Sequence, residues 1–175
     1  MPTGPMSREN DGNQPMTMTR ASLADLPARP PLPEGITIRA FTGSAEAARW
    51  TAVQRDAEPF LTISDDLFVR EFGSDDAAIA SRCLAAVETT TGEMVAAASA
   101  WHGGDPGARG EDWGRLHWVA VRPAYQRRGI ARALVVECLH RMVALGHGRA
   151  YLVTSTGRHG AIALYESVGF ATDRP

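Results

Sequence analysis

The run "LHWVAVRPAYQRRGIARALVVECLHRMVALG", residues 116–146, decides how this chain is read. Its first part, up to Val121, is rich in β-branched and aromatic residues and is stopped by Pro123, so it reads as a strand. Its last part reads as an amphipathic helix. Ile130, Leu134, Cys138, Met142 and Leu145 recur at three- or four-residue spacing, Ala131, Val135, Leu139 and Val143 widen the stripe, and Arg132, Glu137, His140 and Arg141 lie off it. Gly146 stands where a helix-ending glycine belongs. Between strand and helix lie Arg127, Arg128 and a lone Gly129. A helix start leaves its first N–H groups unpaired and carries partial positive charge, and glycine admits a close approach to the backbone. An anion such as a phosphate suits that junction. The spacing alone is equally that of a solvated basic turn, and it fits neither the G-x-G-x-x-G fingerprint nor the Walker pattern.

Outward from this run the chain stays regular. Downstream, "RAYLVTS" (149–155) is an apolar strand, "GAIALYESV" (160–168) a short helix stopped at Gly169, and "GFAT" (169–172) opens a last strand. Upstream, "ITIRAF" (36–41) alternates like a strand. "SAEAARWTAVQRDA" (44–57) reads as a helix capped by Ser44, and "ISDDLFVREFGSDDAAIA" (63–80) as one or two short helices with Ser64 as a cap. "RCLAAVE" and "MVAAASAW" flank the turn "TTTGE" and predict an antiparallel hairpin, with the alanines of the second run also compatible with helix. "HGGDPGARGEDWG" (102–114) is a glycine-rich loop. An antiparallel front half followed by strand–helix–strand predicts a mixed α/β sheet with one parallel pair.

Composition narrows the class. The chain has 175 residues and a formal net charge of −2, with 44% hydrophobic and 22% charged residues, an ordinary soluble domain with no basic excess for nucleic acid. Cys83 and Cys138 sit in apolar runs without CxxC or metal-ligand spacing, so no metal site is expected and two buried, reduced thiols are. The absence of a membrane-length apolar run and of a leader core makes the cytoplasm the default. Residues 1–34 hold seven of the eleven prolines and read as a disordered or loosely attached tail, with Met16 and Met18 as candidate later starts; the domain is expected over 35–175.

The strand "VAV", Pro123, the Q-x-x-G-x-A of Gln126, Gly129 and Ala131, and the helix that follows resemble the acetyl-CoA-binding core of the GNAT superfamily of N-acetyltransferases. "AIALYESVGF" (161–170) resembles that family's second hallmark, at about the right distance. The resemblance is firm over 114–172 and extends to about residue 36. It implies a twisted mixed sheet of six or seven strands with helices on both faces, acetyl-CoA as cosubstrate, and no metal. By the same resemblance, the backbone of Val119, Ala120 and Val121 would pair with the pantetheine arm. The turn of Arg127, Arg128, Gly129, Ile130, Ala131 and Arg132 would cradle the pyrophosphate, and Tyr165 stands where the family has its general acid. Arg158 stands where many relatives have an asparagine that bonds the arm, with His159 as a substitute for that role. Val153 stands where the ribosomal-protein N-terminal acetyltransferases have a glutamate base, a task valine cannot perform.

Strand geometry alone leaves His117 either a histidine packed in the sheet for stability or a base; the base role is what the resemblance of "RLHWVAV" to "HLHALAV" of the arylalkylamine N-acetyltransferases implies, with Arg115 standing at the first of that stretch's two histidines. In "RLHWVAV", alternation puts Arg115, His117, Val119 and Val121 on one face, so His117 lies two residues before the acyl-binding backbone. Its ordinary pKa of about 6.5 suits proton acceptance. His102 is the reserve. Trp101, His102, Glu111, Asp112 and Trp113 either shape an acceptor pocket or belong to a connector. The pairs Asp65–Asp66 and Asp75–Asp76 either attract a cationic amine or cap helices. The reading is transfer of an acetyl group to a primary amine, first of a small molecule, by direct attack in a ternary complex. Protein amino groups are the enzymatic alternative, and a silent acyl-CoA-binding regulatory protein is the rival. No nucleic acid or membrane is expected as a partner; a homodimer is left open.

Overall fold

The computed structural model describes residues 12–103 and 109–173. The strand and helix on either side of the arginine–glycine turn lie at the centre of a seven-stranded sheet. The strands are β1 (Pro15–Arg20), β2 (Ile36–Ala40), β3 (Cys83–Glu88), β4 (Met94–His102), β5 (Trp113–Val121), β6 (Arg149–Ser155) and β7 (Ala171–Thr172), in the order β2-β3-β4-β5-β6-β1-β7. Only β5 and β6 pair in parallel, joined by the crossover helix α4 (Ile130–Ala144); the other pairs are antiparallel, including the expected β3–β4 hairpin. The remaining helices are α1 (Ala47–Ala57), α2 (Leu67–Phe72), α3 (Asp76–Arg82) and α5 (His159–Ser167).

Both faces of the sheet are covered, so β3 and β4 are buried almost throughout and read as continuous apolar runs. On one face, Leu134, Val135, Cys138, Leu139 and Met142 of α4 pack with Leu84, Val95, Leu116 and Tyr165. Gly114 permits this close approach, since a Cβ there would lie 2.6 Å from Met142 Sδ. On the other face α1 and α2 build an aromatic core. The edge of the Trp50 ring system meets Phe68, Phe72 and Trp118, with centroids 5.3, 5.6 and 5.6 Å away.

Three expectations are corrected. Residues 15–34 are not a loose tail. β1 lies between β6 and β7, with Met18 opposite Leu152 and fully buried. Beyond it Leu23 is buried, with its N–H bonded to the Gly148 carbonyl at 2.8 Å, and Arg29 pairs with Glu137 at 2.6 Å. "PMTMTR" alternates with period 2, and that apolar alternation outweighs the proline-rich composition around it. Residues 1–11 of the expected tail lie outside the described residues. Ser44 does not cap α1; it opens a short 3-10 turn and is itself held by Asp76, whose Oδ1 accepts from its N–H and hydroxyl at 2.7 Å each. Ser64 does not cap α2, which starts after Asp66; its hydroxyl donates to the Asp66 carboxylate instead.

The strand assignment of residues 15–20 predicts that Met18→Ala lowers stability by about 2–5 kcal/mol, as expected for an emptied core position. Urea unfolding should show a lower midpoint at unchanged slope. An unchanged midpoint would mean the segment contributes nothing to the fold.

Candidate active site

β5 and β6 pair only over Trp113–Arg149, Gly114–Ala150 and Arg115–Tyr151. Past Arg115 the two strands part. β5 stays paired with β4 and β6 with β1, and a cleft of about 580 Å³ opens between them. A bulge sharpens the opening. Between the pairs Ala97–Ala120 and Ser99–His117, β4 supplies one residue and β5 supplies two, Trp118 and Val119. Trp118 takes up the extra length with a left-handed φ of 51°, its ring against Trp50 and its carbonyl accepting from Gln54 Nε2 at 3.3 Å. The bulge corrects the expected alternation. Val119 and Val121 turn to the α4 face, while His117 packs against Phe72 and Trp118 joins the aromatic core on the opposite face.

The cleft therefore has two differently lined sides. Toward α4 lie Val119, Val121, Leu152 and Tyr165, with Gln126 at the rim, its amide donating to the Val121 carbonyl at 3.0 Å. Tyr165 is buried, and burial pushes its phenol up to about 12, so it is protonated at neutral pH. The arginine–glycine turn follows Gln126. Arg127 and Gly129 have φ of 62° and 82°, α4 begins at Ile130, and a Cβ at Gly129 would meet no atom within 4 Å. The helix start is thus open, with Arg127 and Arg128 exposed beside it. Ile130 is buried under the turn rather than in the cleft; Ala131 packs partly on the α4 core; Arg132 donates to Ser167 Oγ at 2.9 Å and ties α4 to α5.

Toward α1 and α2 lie Gln54, Glu58, Phe60, Leu61, Glu71, Arg115, His117 and Trp118. His117 Nε2 is 2.7 Å from Glu71 Oε2, and its side chain is 11% exposed. Burial holds its pKa below the ordinary histidine value, partly offset by the Glu71 carboxylate. Glu71 is held below the carboxylate range chiefly by its hydrogen bond to His117. Arg158 lines the cleft, but its guanidinium is engaged: Nη2 reaches both carboxylate oxygens of Glu58 at 2.7 and 2.9 Å, Nε reaches Ser155 Oγ at 3.2 Å, and it lies 5.1 Å from the Phe60 ring centre. This differs from an asparagine-like contact to a cofactor arm.

Several sequence candidates lie elsewhere. His102, exposed at the end of β4 with its ring 6.5 Å from His147, is not among the cleft residues. Trp101 packs on Phe72, the Glu111 backbone carbonyl accepts from His147 Nδ1 at 2.6 Å, and Asp112 holds Gly148 and Arg149. Part of the expected acceptor loop, residues 104–108, lies outside the described residues. The acidic pairs are structural: Asp65 binds Arg55, Asp66 binds Arg70, Asp75 caps α3 and Asp76 caps the turn at Ser44. Among the described residues no group of His, Cys, Asp or Glu could hold a metal ion, and no helix is long and apolar enough to cross a membrane. Glu71 and Glu58 were missed, because no spacing relates them to His117 or Arg158; only the folded packing of α1 and α2 on the cleft does.

Residues 46–170 match the family described as Acetyltransferase (GNAT) family, and the chain belongs to it. It is 30% identical to a mycothiol acetyltransferase of Streptomyces scabiei over 87% of this chain and 49% of that protein. A shorter match, 49% identical over 55 residues, is to the N-alpha-acetyltransferase RimI of Mycobacterium tuberculosis, covering 31% of this chain and 33% of that one. Among solved structures, a GCN5-related N-acetyltransferase from Sphaerobacter thermophilus superposes with a TM-score of 0.70 at 25% identity, over 94% of this chain and 51% of that one. The chain spans about half the length of the mycothiol acetyltransferases it matches.

The His117–Glu71 contact predicts a titration that needs no substrate. In an NMR titration His117 should protonate below the ordinary value of about 6.5. Glu71→Gln removes the carboxylate that favours the imidazolium, so the midpoint should fall further. A midpoint that rises in the variant would contradict this electrostatic arrangement.

Proposed function

We propose that this chain transfers an acetyl group from acetyl-CoA to a primary amine by direct attack in a ternary complex. The observation that carries this reading is a single cleft with a proton donor, Tyr165, toward α4 and a proton acceptor, His117 with Glu71, toward α1 and α2. Acetyl-CoA supplies an acyl group already activated as a thioester. The edge of β5 over Val119–Val121, which β6 leaves unpaired, offers strand-like bonds to an extended amide chain, with the Val121 carbonyl already accepting from Gln126. The open start of α4, with Arg127 and Arg128, fits a pyrophosphate at the α4 end of the cleft. Arg132 supports this turn through Ser167 rather than by reaching outward.

The proton balance follows from the two sides. The amine sheds a proton as its nitrogen forms the bond to the acyl carbon, and His117, kept neutral by burial, would accept it. The carbon–sulfur bond breaks, and Tyr165 would protonate the departing sulfur. Cys83 and Cys138 are buried, and burial raises Cys83 to about 11 and Cys138 further, so neither suits a covalent acyl-enzyme. Two free thiols also accord with the cytoplasm. A small-molecule acceptor is preferred. The similarity to RimI favours a protein amine, but it covers under a third of this chain, and Val153 has no carboxylate for the base role. The protonated Tyr165 phenol at the cleft supports the enzyme over a silent acyl-CoA-binding protein.

Thiol release from acetyl-CoA with a panel of amines tests the reading. Tyr165→Phe should lower kcat by about 10²–10⁴-fold with little change in coenzyme A affinity; normal turnover in a variant limited by chemistry would remove Tyr165 from the mechanism. Changing both Arg127 and Arg128 to glutamine should weaken coenzyme A binding by about tenfold or more, roughly 1.4 kcal/mol, while leaving a phosphate-free pantetheine thioester unaffected. Equal losses for both ligands would place the phosphates elsewhere.

A further inference from the structure

Large apolar side chains are seldom left exposed together unless something covers them. Among the described residues five are exposed: Phe60, Leu61, Val69, Val143 and Val153. Three of these five, Phe60 (46% exposed), Leu61 (55%) and Val153 (43%), line the same cleft. Phe60 and Leu61 follow α1. Val153 lies on β6 between Leu152, which belongs to the α4 core, and Thr154, so its side chain turns to the opposite face, the one that carries His117. The apolar group therefore lies on the base side of the cleft, away from the helix start assigned to the phosphates.

The charges around it are largely accounted for. Glu58 gives its carboxylate to Arg158 and accepts the Phe60 and Leu61 N–H groups at 2.8 and 3.2 Å, which fixes the backbone of the apolar pair. Arg158 lies by the Phe60 ring and holds it in place. Arg115 lies at the closed end, where the strands still pair, 5.8 Å from the Tyr151 ring and 3.5 Å from the Gly103 carbonyl. The ionised Glu71 beside His117 also interacts with the charge of Arg115, so this side carries a carboxylate and a guanidinium together. The Glu71 carboxylate can still accept an N–H of a small amine, and the neighbouring apolar surface complements a hydrocarbon group.

We infer that the acceptor is a small primary amine carrying a compact apolar substituent, aryl or branched alkyl, which rests on Phe60, Leu61 and Val153 while its nitrogen lies by His117 and Glu71. This rests on the acetyl-transfer reading above and narrows it to one acceptor class. Hydroxylated amines such as amino sugars gain nothing from the three side chains and lose their own hydration against them.

Steady-state thiol release with 2-phenylethylamine, 3-methylbutylamine, glucosamine and an alanyl tripeptide tests this. The first two should exceed the others in kcat/KM by at least about tenfold. Phe60→Ser and Leu61→Ser, both at exposed positions, should raise KM for the apolar amines about tenfold while leaving kcat and the KM for acetyl-CoA within about twofold. Thermal unfolding of each variant confirms that it is folded. Glucosamine or the tripeptide used as well as the apolar amines overturns the acceptor class and leaves acetyl transfer standing; a preference for the tripeptide would make the apolar group a peptide contact. Unchanged KM in both serine variants also overturns it. Coenzyme A binding without thiol release for any amine overturns this inference and the enzymatic reading together.

Discussion

Three residues of parallel pairing hold β5 to β6, and then the strands separate. The site depends on that failure to pair. Parting strands leaves backbone groups without sheet partners, which is costly in a dry interior and tolerable where a solvent-filled cleft or a ligand can satisfy them. Each strand is held apart by its outer neighbour. Six residue pairs bind β6 to β1, and β4 binds β5 on the other side. The closed end is fixed by α4, whose Met142 presses on Gly114 at the pairing residues. The bulge at Trp118 then shifts the alternation, so that one strand presents His117 to one face and Val119 to the other.

What the sequence made legible was local. The strand before Pro123, the turn with Gln126, Gly129 and Ala131, the helix after it, and "AIALYESVGF" are each contained in a few consecutive residues, and each occupies its expected element. The bulge was not legible, because no glycine or proline at Trp118 or Val119 marks the extra length, and the contacts that the left-handed Trp118 makes, with Trp50 and Gln54, come from a distant helix. β1 was hidden by composition. Its alternation of Met and Thr is a strand signal, but prolines before and after it dominate any average over the segment. Glu71 and Glu58 became visible only through packing, since the partners His117 and Arg158 lie far away in sequence.

Arg158 shows how a departure from a family pattern can be absorbed. A guanidinium placed at the start of α5 within a partly closed cleft needs a counter-charge, and Glu58 at the end of α1 provides one. The pair ties the end of α1 to the start of α5 beside the cleft. The same Glu58 carboxylate also orders the backbone leading into Phe60 and Leu61, so the charge substitution and the shape of the rim are one structural event.

The position of β1 has a consequence for biosynthesis. Its partner β6 lies more than a hundred residues downstream, so β1 emerges from the ribosome well before the strand it pairs with. At roughly 5–20 residues per second this leaves "PMTMTR" waiting on the order of ten seconds, a period in which Met16 and Met18 have no sheet to cover them. Threonines between the methionines and prolines around them keep such a segment a poor template for self-pairing. Pairing β1 with β6 and then with β7 closes the longest loops in the sheet, an entropic cost that can be met only once those downstream strands are made.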